Sequence, residues 1–298
     1  MNSIKDKVMH TPEIDMDLDE FREILSDALK EGGTQHLLRL TDEEIAVLDP
    51  DSLTECVAPT PRLGELSAQE REWAYATALR SLVSREAVEV GNIDELDSVV
   101  RRAKNSNDAA AGTTPSGIDL DLRITPELSL ALTLRRTATQ ALAVEQNTSG
   151  GATHALVYVH SVDLYLVERV TSGGLHAFTL ASSAEDAAQL VQMFVDPFDV
   201  ADKDGPTHHL TPEQISQDNV GRSLTEAING ALVVSQVVLL ADRPGPLLTT
   251  YATDRMVWTV FVEAPNSQTG IQARPVGKLT LKKMISQLLI PENAKESE

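Results

Sequence analysis

Residues 153–197, THALVYVHSVDLYLVERVTSGGLHAFTLASSAEDAAQLVQMFVDP, decide the fold. ALVYVHS and VDLYLVERV are rich in β-branched and aromatic residues, the composition of a strand on a pleated, half-buried surface. Ser172-Gly173-Gly174 supplies residues that tolerate positive φ, so a hairpin turn follows and LHAFTLA returns as a third strand. The period then changes: Ala187, Leu190, Val191 and Phe194 keep the i, i+3, i+4, i+7 spacing of an amphipathic helix. Ser182 and Glu185 open that helix as a capping box, and Pro197 ends it.

The same order recurs over 231–291, as ALVVSQVVLLA, PLLTTYA, RMVWTVFVEA and a helix ending KKMISQLLIP, with a long Pro-bearing insertion before the helix. Two βββα units imply an α+β fold: a central, mostly antiparallel sheet with flanking helices and two pseudo-symmetric halves. The expected organisation is an acidic extension over 1–34 with one helix, and a single α+β domain over 35–291. Its halves fall at about 35–200 and 201–291, and residues 292–298 form a charged, disordered tail.

Outward from the repeat, Leu18, Phe21, Leu25, Ala28 and Leu29 mark the helix of the extension, stopped by Gly32-Gly33. Thr41 with Glu44, and Ser67 with Glu70, are capping boxes that open a short helix and the longest one, to about Val88. An acidic helix is expected over 94–102 and a loop over 105–117. Leu128, Leu130, Leu132 and Leu134 alternate with smaller or polar residues and read as a strand, continued by another over 141–144. Thr211-Pro212-Glu213-Gln214 is an N-cap with Pro at the first helical position, and Ser223 with Glu226 caps a helix leading into 231–241.

The chain of 298 residues has a formal net charge of -20, with acidic side chains concentrated in residues 1–50. That charge argues against nucleic acid, whose phosphates require clustered Lys and Arg, and against anionic membrane surfaces. Cys56 is the single cysteine and cannot form an internal disulfide, which fits a reducing cytosol. With no signal-peptide core and no apolar run long enough to span a bilayer, a cytoplasmic location is expected.

The candidate chemical motifs of the chain have ordinary structural readings. Asp199, Asp202, Asp204 and Gly205 suggest a calcium loop, but aligning Gly205 puts Val200 at the first ligand position and Thr211 at the twelfth. His208-His209 lies in a Pro-bounded loop without zinc-ligand spacing, and His154, His160 and His176 on neighbouring strands read as structural. Asp163 and Glu168 beside Tyr165 read as solvent-face residues. The glycine pairs match no phosphate-binding loop, and no nucleophile or zinc-protease motif occurs. Neither cofactor, metal nor catalytic residue is assigned, and a binding protein is expected rather than an enzyme. The alternatives are an uncharacterised enzyme and a winged-helix regulator using 41–48 and 67–85, whose recognition helix balances Glu70, Glu72 and Glu86 against Arg71, Arg80 and Arg85.

AYATALRSLVSREAVEV at 74–90, IDELDSVV at 93–100, ELSLALTLRR at 127–136, ALVYVHSVDLYLVERV at 155–170 and RMVWTVFVEAP at 255–265 fall in one order. In that order and spacing the chain, over about 37–290, resembles the actinobacterial EspG-type proteins, cytosolic chaperones of type VII (ESX) secretion. It departs from them in the acidic extension before Gln35, and at Arg85-Glu86-Ala87, where the family carries an Arg-Gly-Leu-like turn. The resemblance implies a sheet built from two βββα halves and capture of a helical, secreted PE/PPE-like protein partner. The residues assigned to capture are Leu281, Met284, Ile285, Leu288 and Leu289 on the last helix, with Asn147, Ser149, Gly150 and Gly151 in a flexible turn.

Overall fold

The computed structural model describes residues 25, 29–30, 32–51, 57–91, 122–138, 140–216, 220–241, 245–263 and 270–290. Most of the helix expected over 18–29, Cys56, the expected helix at 94–102, the expected loop at 105–117 and the termini lie outside them. In chain order come β1 (Thr34–Thr41), α1 (Asp42–Leu48), α2 (Pro61–Glu65), α3 (Ala68–Ser84), β2 (Val88–Val90), β3 (Leu122–Ile124) and α4 (Pro126–Thr137). Then follow β4 (Gln140–Thr148), β5 (Gly151–Ser161), β6 (Leu164–Val170), β7 (Leu175–Ala181) and α5 (Ala184–Val195). The remainder is β8 (His208–Leu210), α6 (Pro212–Ser216), α7 (Arg222–Asn229), β9 (Val233–Leu240), β10 (Leu247–Ala252), β11 (Val257–Val262), β12 (Ile271–Val276) and α8 (Lys278–Leu289).

The protein is α+β, with one ten-stranded sheet in the order β1-β7-β6-β5-β4-β9-β10-β11-β12-β8 and β2 paired with β3 apart from it. Every neighbouring pair is antiparallel. Alternation along each strand assigns side chains to two faces. On the first face, α5 and α8 pack on one another and on Leu142, Val157, Val167, Val237, Leu248 and Val257, all buried in one cluster. On the second face, α1, α3 and α4 cover β5, β6 and β7 through Ile45, Leu82, Leu128 and Leu132 against Leu156, Tyr158, Leu166 and Phe178. A smaller cluster there joins Leu224 and Ala227 of α7 to Trp258, Ile271 and Ala273.

Three expectations are corrected. The leucine run at 128–134 is the helix α4, not a strand. Thr125-Pro126-Glu127 places Pro at a helical N1, and Leu128, Leu130, Ala131, Leu132 and Leu134 are all buried, so the alternation belongs to a helix enclosed on most sides. The insertion before the last helix contains a further strand, β12, so each run has four strands before its helix rather than three. Pro275 sits beyond the end of β8, where no outward ladder amide is needed. Finally, two caps are misplaced. Ser183, not Ser182, caps α5 by accepting the Asp186 amide, and α7 starts after Gly221 with no side-chain cap, Ser223 and Glu226 lying inside it.

The boxes at Thr41/Glu44 and Ser67/Glu70 form as expected, and Thr211 and Gln214 exchange the same pair of bonds at α6. Among the described residues no helix is long and apolar enough to cross a membrane.

Candidate functional site

The residues expected to hold a partner do not form one surface. Leu281, Ile285, Leu288 and Leu289 face inward from α8 and belong to the core cluster shared with α5 and the sheet, with half-buried Met284 against its margin. This stripe therefore holds the helix on the sheet, and polar replacements there strike the core. Asn147, Ser149, Gly150 and Gly151 form the exposed β4–β5 turn. Thr148 organises it: its hydroxyl accepts the Gly150 amide and donates to the Gly151 carbonyl, and Gly151 takes φ 113, a value glycine reaches freely.

An apolar surface lies instead on the second face of the sheet, between the helices over β5–β7 and α7. Val234, Val238 and Leu240 alternate along β9 as half-buried residues, and Leu247 of β10 lies directly opposite Val238. Ala143 of β4 flanks Val238 on the other side, and Tyr251 lies opposite Val234. Val234, Val238, Leu240 and Leu247 belong to none of the three clusters formed by the described residues. Exposed Gln236 and Glu145, paired across β9 and β4, put a polar and an acidic group within the strip. The opposite side chains of β9, Val233, Ser235, Val237 and Leu239, are buried, so apart from Ser235 and Gln236 the strand is apolar on both faces.

The described residues also contain a sealed ionic network. His176 of β7 has Nε2 2.7 Å from Asp42 Oδ1 and Nδ1 2.6 Å from Glu168 Oε1. Glu168 Oε2 accepts from the Tyr158 hydroxyl at 2.6 Å and from Arg135 Nε at 3.1 Å. Asp42 Oδ2 accepts the Arg62 amide at 2.7 Å, and the Asp42 amide donates to the Gly174 carbonyl. Asp42, Glu168 and His176 are each 0 % exposed. Burial disfavours the His176 cation, but the two carboxylates outweigh it and raise its pKa. Burial likewise opposes the Glu168 charge, while Arg135, His176 and Tyr158 outweigh it and hold the carboxyl below its ordinary range. Glu168 is thus not the solvent-face residue expected from its strand. Asp163 lies apart from it in the exposed β5–β6 turn, hydrogen-bonded to Ser161.

The other candidates serve the fold. Asp204 caps α8 from a distance, accepting the Gly277 amide at 2.9 Å and the Thr280 hydroxyl at 2.7 Å. Asp199 pairs with Lys278, and Asp202 with Lys203. A Cβ on Gly205 would overlap the Pro275 ring, so glycine lets this loop close onto β12. His208 stacks on Trp258 with ring centroids 5.9 Å apart, and His160 Nε2 lies 2.9 Å from the Leu134 carbonyl. Burial lowers the pKa of His154 and His160. Among the described residues no group of three or more His, Cys, Asp or Glu is arranged to hold a metal ion. Compared with protein-family models and with curated proteins, the chain matches none.

Proposed function

We propose that the chain is a cytosolic binding protein of the EspG type that captures an apolar helical segment of a secreted, PE/PPE-like partner on the β9–β10 strip. The strip carries the reading. Val234, Val238, Leu240 and Leu247 place branched aliphatic surface on a sheet face where a second layer would ordinarily sit, and such a face gains from being covered. A protein that shields another's apolar surface must itself remain soluble, and the charge of -20 provides for that.

Two further features support the resemblance. Arg85-Glu86-Ala87 stands where the family has its Arg-Gly-Leu-like turn, and Glu86 has φ 61, the left-handed conformation that glycine favours. The Ala87 amide reaches the Leu82 carbonyl and the Glu86 amide reaches Val83, so the helix ends in the geometry a glycine usually provides. The chain also reads as a duplicated unit. β1, helices, β4–β7 and α5 are echoed by β8, helices, β9–β12 and α8, with β4 and β9 meeting antiparallel at the centre. In each unit the segment preceding the first strand clasps the start of the closing helix: the Ser182 amide donates to Gly33, and the Lys278 amide to Ala201. The first unit roofs its sheet with α1, α3 and α4, whereas the second has the eight-residue α7 and the five-residue α6. A partner helix on the strip completes the roof of the second unit.

The test compares wild-type protein with a Val238→Asp/Leu247→Asp variant, both shown to be folded by circular dichroism, in affinity capture from the native cell. A secreted helical partner recovered by the wild type and lost by the variant is expected. Equal recovery by both overturns the strip as the site, and recovery of nucleic acid or of no protein overturns the chaperone reading.

A further inference from the structure

The ionic network around His176 holds a proton that the geometry favours placing on the ring. A neutral imidazole offers one donor and one acceptor, and an ionised carboxylate only accepts. Yet both ring nitrogens of His176 lie within hydrogen-bonding distance of carboxylate oxygens, Asp42 Oδ1 on one side and Glu168 Oε1 on the other. Glu168 also receives Arg135 and Tyr158 on its second oxygen, and Asp42 receives the Arg62 amide on its own, so both are already arranged as acceptors. The arrangement is satisfied when His176 is an imidazolium donating twice.

We propose that His176 is the proton-bearing pin of an alkaline-sensitive latch that fastens the edge segment β1–α1–α2 to β6 and β7. The groups facing it come from every element around it: Asp42 from α1, Glu168 from β6, and beyond Glu168, Arg135 from α4 and Tyr158 from β5. Phe178 stacks beside the ring at 6.4 Å, and α2 closes the site through Arg62. With the proton in place, two buried carboxylates face two buried cations. Without it, one negative charge is left uncompensated in a site that water does not reach, a costly state.

The segment held by the pin begins at an edge of the sheet. Among the described strands, β1 is outermost at its end of the sheet and pairs with β7 alone, through a register shift between His36 and Leu38. Asp42 follows it directly and carries both the His176 contact and the bond to the Gly174 carbonyl. Gly174 has φ 73, and a Cβ there would lie 2.7 Å from Asp42 Oδ2, so the turn admits the carboxylate only as glycine. Release of Asp42 frees β1 and α1 together and uncovers Leu40, Ile45 and Leu48. Because pairing raises the pKa of His176, the latch is closed below the ordinary imidazole range and opens as pH rises through the higher folded-state value.

Two measurements on the full chain test the proposal. In nitrogen-15 spectra of the imidazole rings, with His176 assigned by its loss in His176→Gln, both ring nitrogens should be protonated at neutral pH and titrate above the ordinary range. Amide hydrogen exchange, corrected for intrinsic rates, should then accelerate over 34–48 and 61–65 at that same midpoint, while β9–β12 stays protected. Asp42→Asn keeps an acceptor beside the ring without its charge, and should lower the midpoint by about one pH unit or more. A neutral His176 ring at neutral pH, uniform acceleration across the sheet, or an unchanged midpoint in Asp42→Asn overturns the latch.

Discussion

Glu86 closes α3 in a conformation that costs an L-residue about 1–2 kcal/mol, and its exposed side chain offers no visible compensation. Glu86→Gly should therefore raise stability by about 0.5–1 kcal/mol, after allowing for the greater freedom of glycine in the unfolded chain. Urea unfolding with an unchanged slope and a higher midpoint is the expected record. Glu168 behaves oppositely, because it sits between Arg135 and His176 with no solvent. Glu168→Gln leaves two buried cations facing one remaining carboxylate, Asp42, and should cost about 3–5 kcal/mol. The pH dependence carries both signs. His176, with its pKa raised, contributes fully below the ordinary imidazole value and loses that contribution as pH rises through its folded value. Glu168, with its pKa lowered, contributes above the ordinary carboxylate value and loses it as pH falls through its folded value. Urea midpoints of the wild type should accordingly form a plateau that falls on both sides, and the acid-side fall should weaken in Glu168→Gln. None of this network was legible in sequence. Its members, Asp42, Tyr158, Arg135, Glu168 and His176, come from five elements, and only the register of β5, β6 and β7 with the packing of α1 and α4 brings them together.

α8 shows how an element's stability can be set far along the chain. Its first residues have no cap of their own, and Asp204, ahead of β8, supplies the acceptor for the Gly277 amide. Asp204→Ala should cost about 1 kcal/mol, toward the lower end of capping effects because the carboxylate is screened by water. Asp202→Ala, which removes an exposed pair with Lys203 and a weaker attraction to Lys278, should leave thermal stability almost unchanged. Bonds to Gly277 and Thr280 lower the Asp204 pKa, so this capping contribution is present above the ordinary carboxylate range and fades on acidification. The capping boxes read at Thr41/Glu44 and Ser67/Glu70 form, whereas those read at Ser182/Glu185 and Ser223/Glu226 do not, because a Ser-x-x-Glu spacing alone does not fix where a helix starts. Local signals also misled where burial overrode periodicity. Leu128 to Leu134 alternate like a strand because almost every face of α4 is covered. β12 was hidden because Gln272, Arg274 and Pro275 break the apolar pattern on a short strand near the sheet's edge. The strip was likewise concealed, since Val234, Val238 and Leu240 look no different in sequence from the core residues they alternate with.

At the scale of the whole molecule, the two runs of four strands and a helix do not make two separable bodies. β4 and β9 share an antiparallel ladder, and one apolar cluster runs from Ala155 and Val167 through α5 and α8 to Leu248 and Val257. Neither run of four strands has an independent cover on that face, because α5 and α8 pack against each other as well as on the sheet. Loss of either helix therefore exposes apolar surface in both runs, and unfolding should be a single cooperative event. The chain supplies its own reporters. Its two tryptophans are Trp73 in α3, over the first run, and Trp258 in β11, in the second. In Trp73→Phe the remaining fluorescence reports the second run, and in Trp258→Phe it reports the first. In each variant, the urea midpoint from fluorescence should coincide with that from far-ultraviolet circular dichroism, with calorimetric and van't Hoff enthalpies in agreement. Midpoints that separate between the fluorescence and circular dichroism of one variant would show that the shared cluster does not couple the two runs, and that the β4–β9 ladder can part while each retains its own structure.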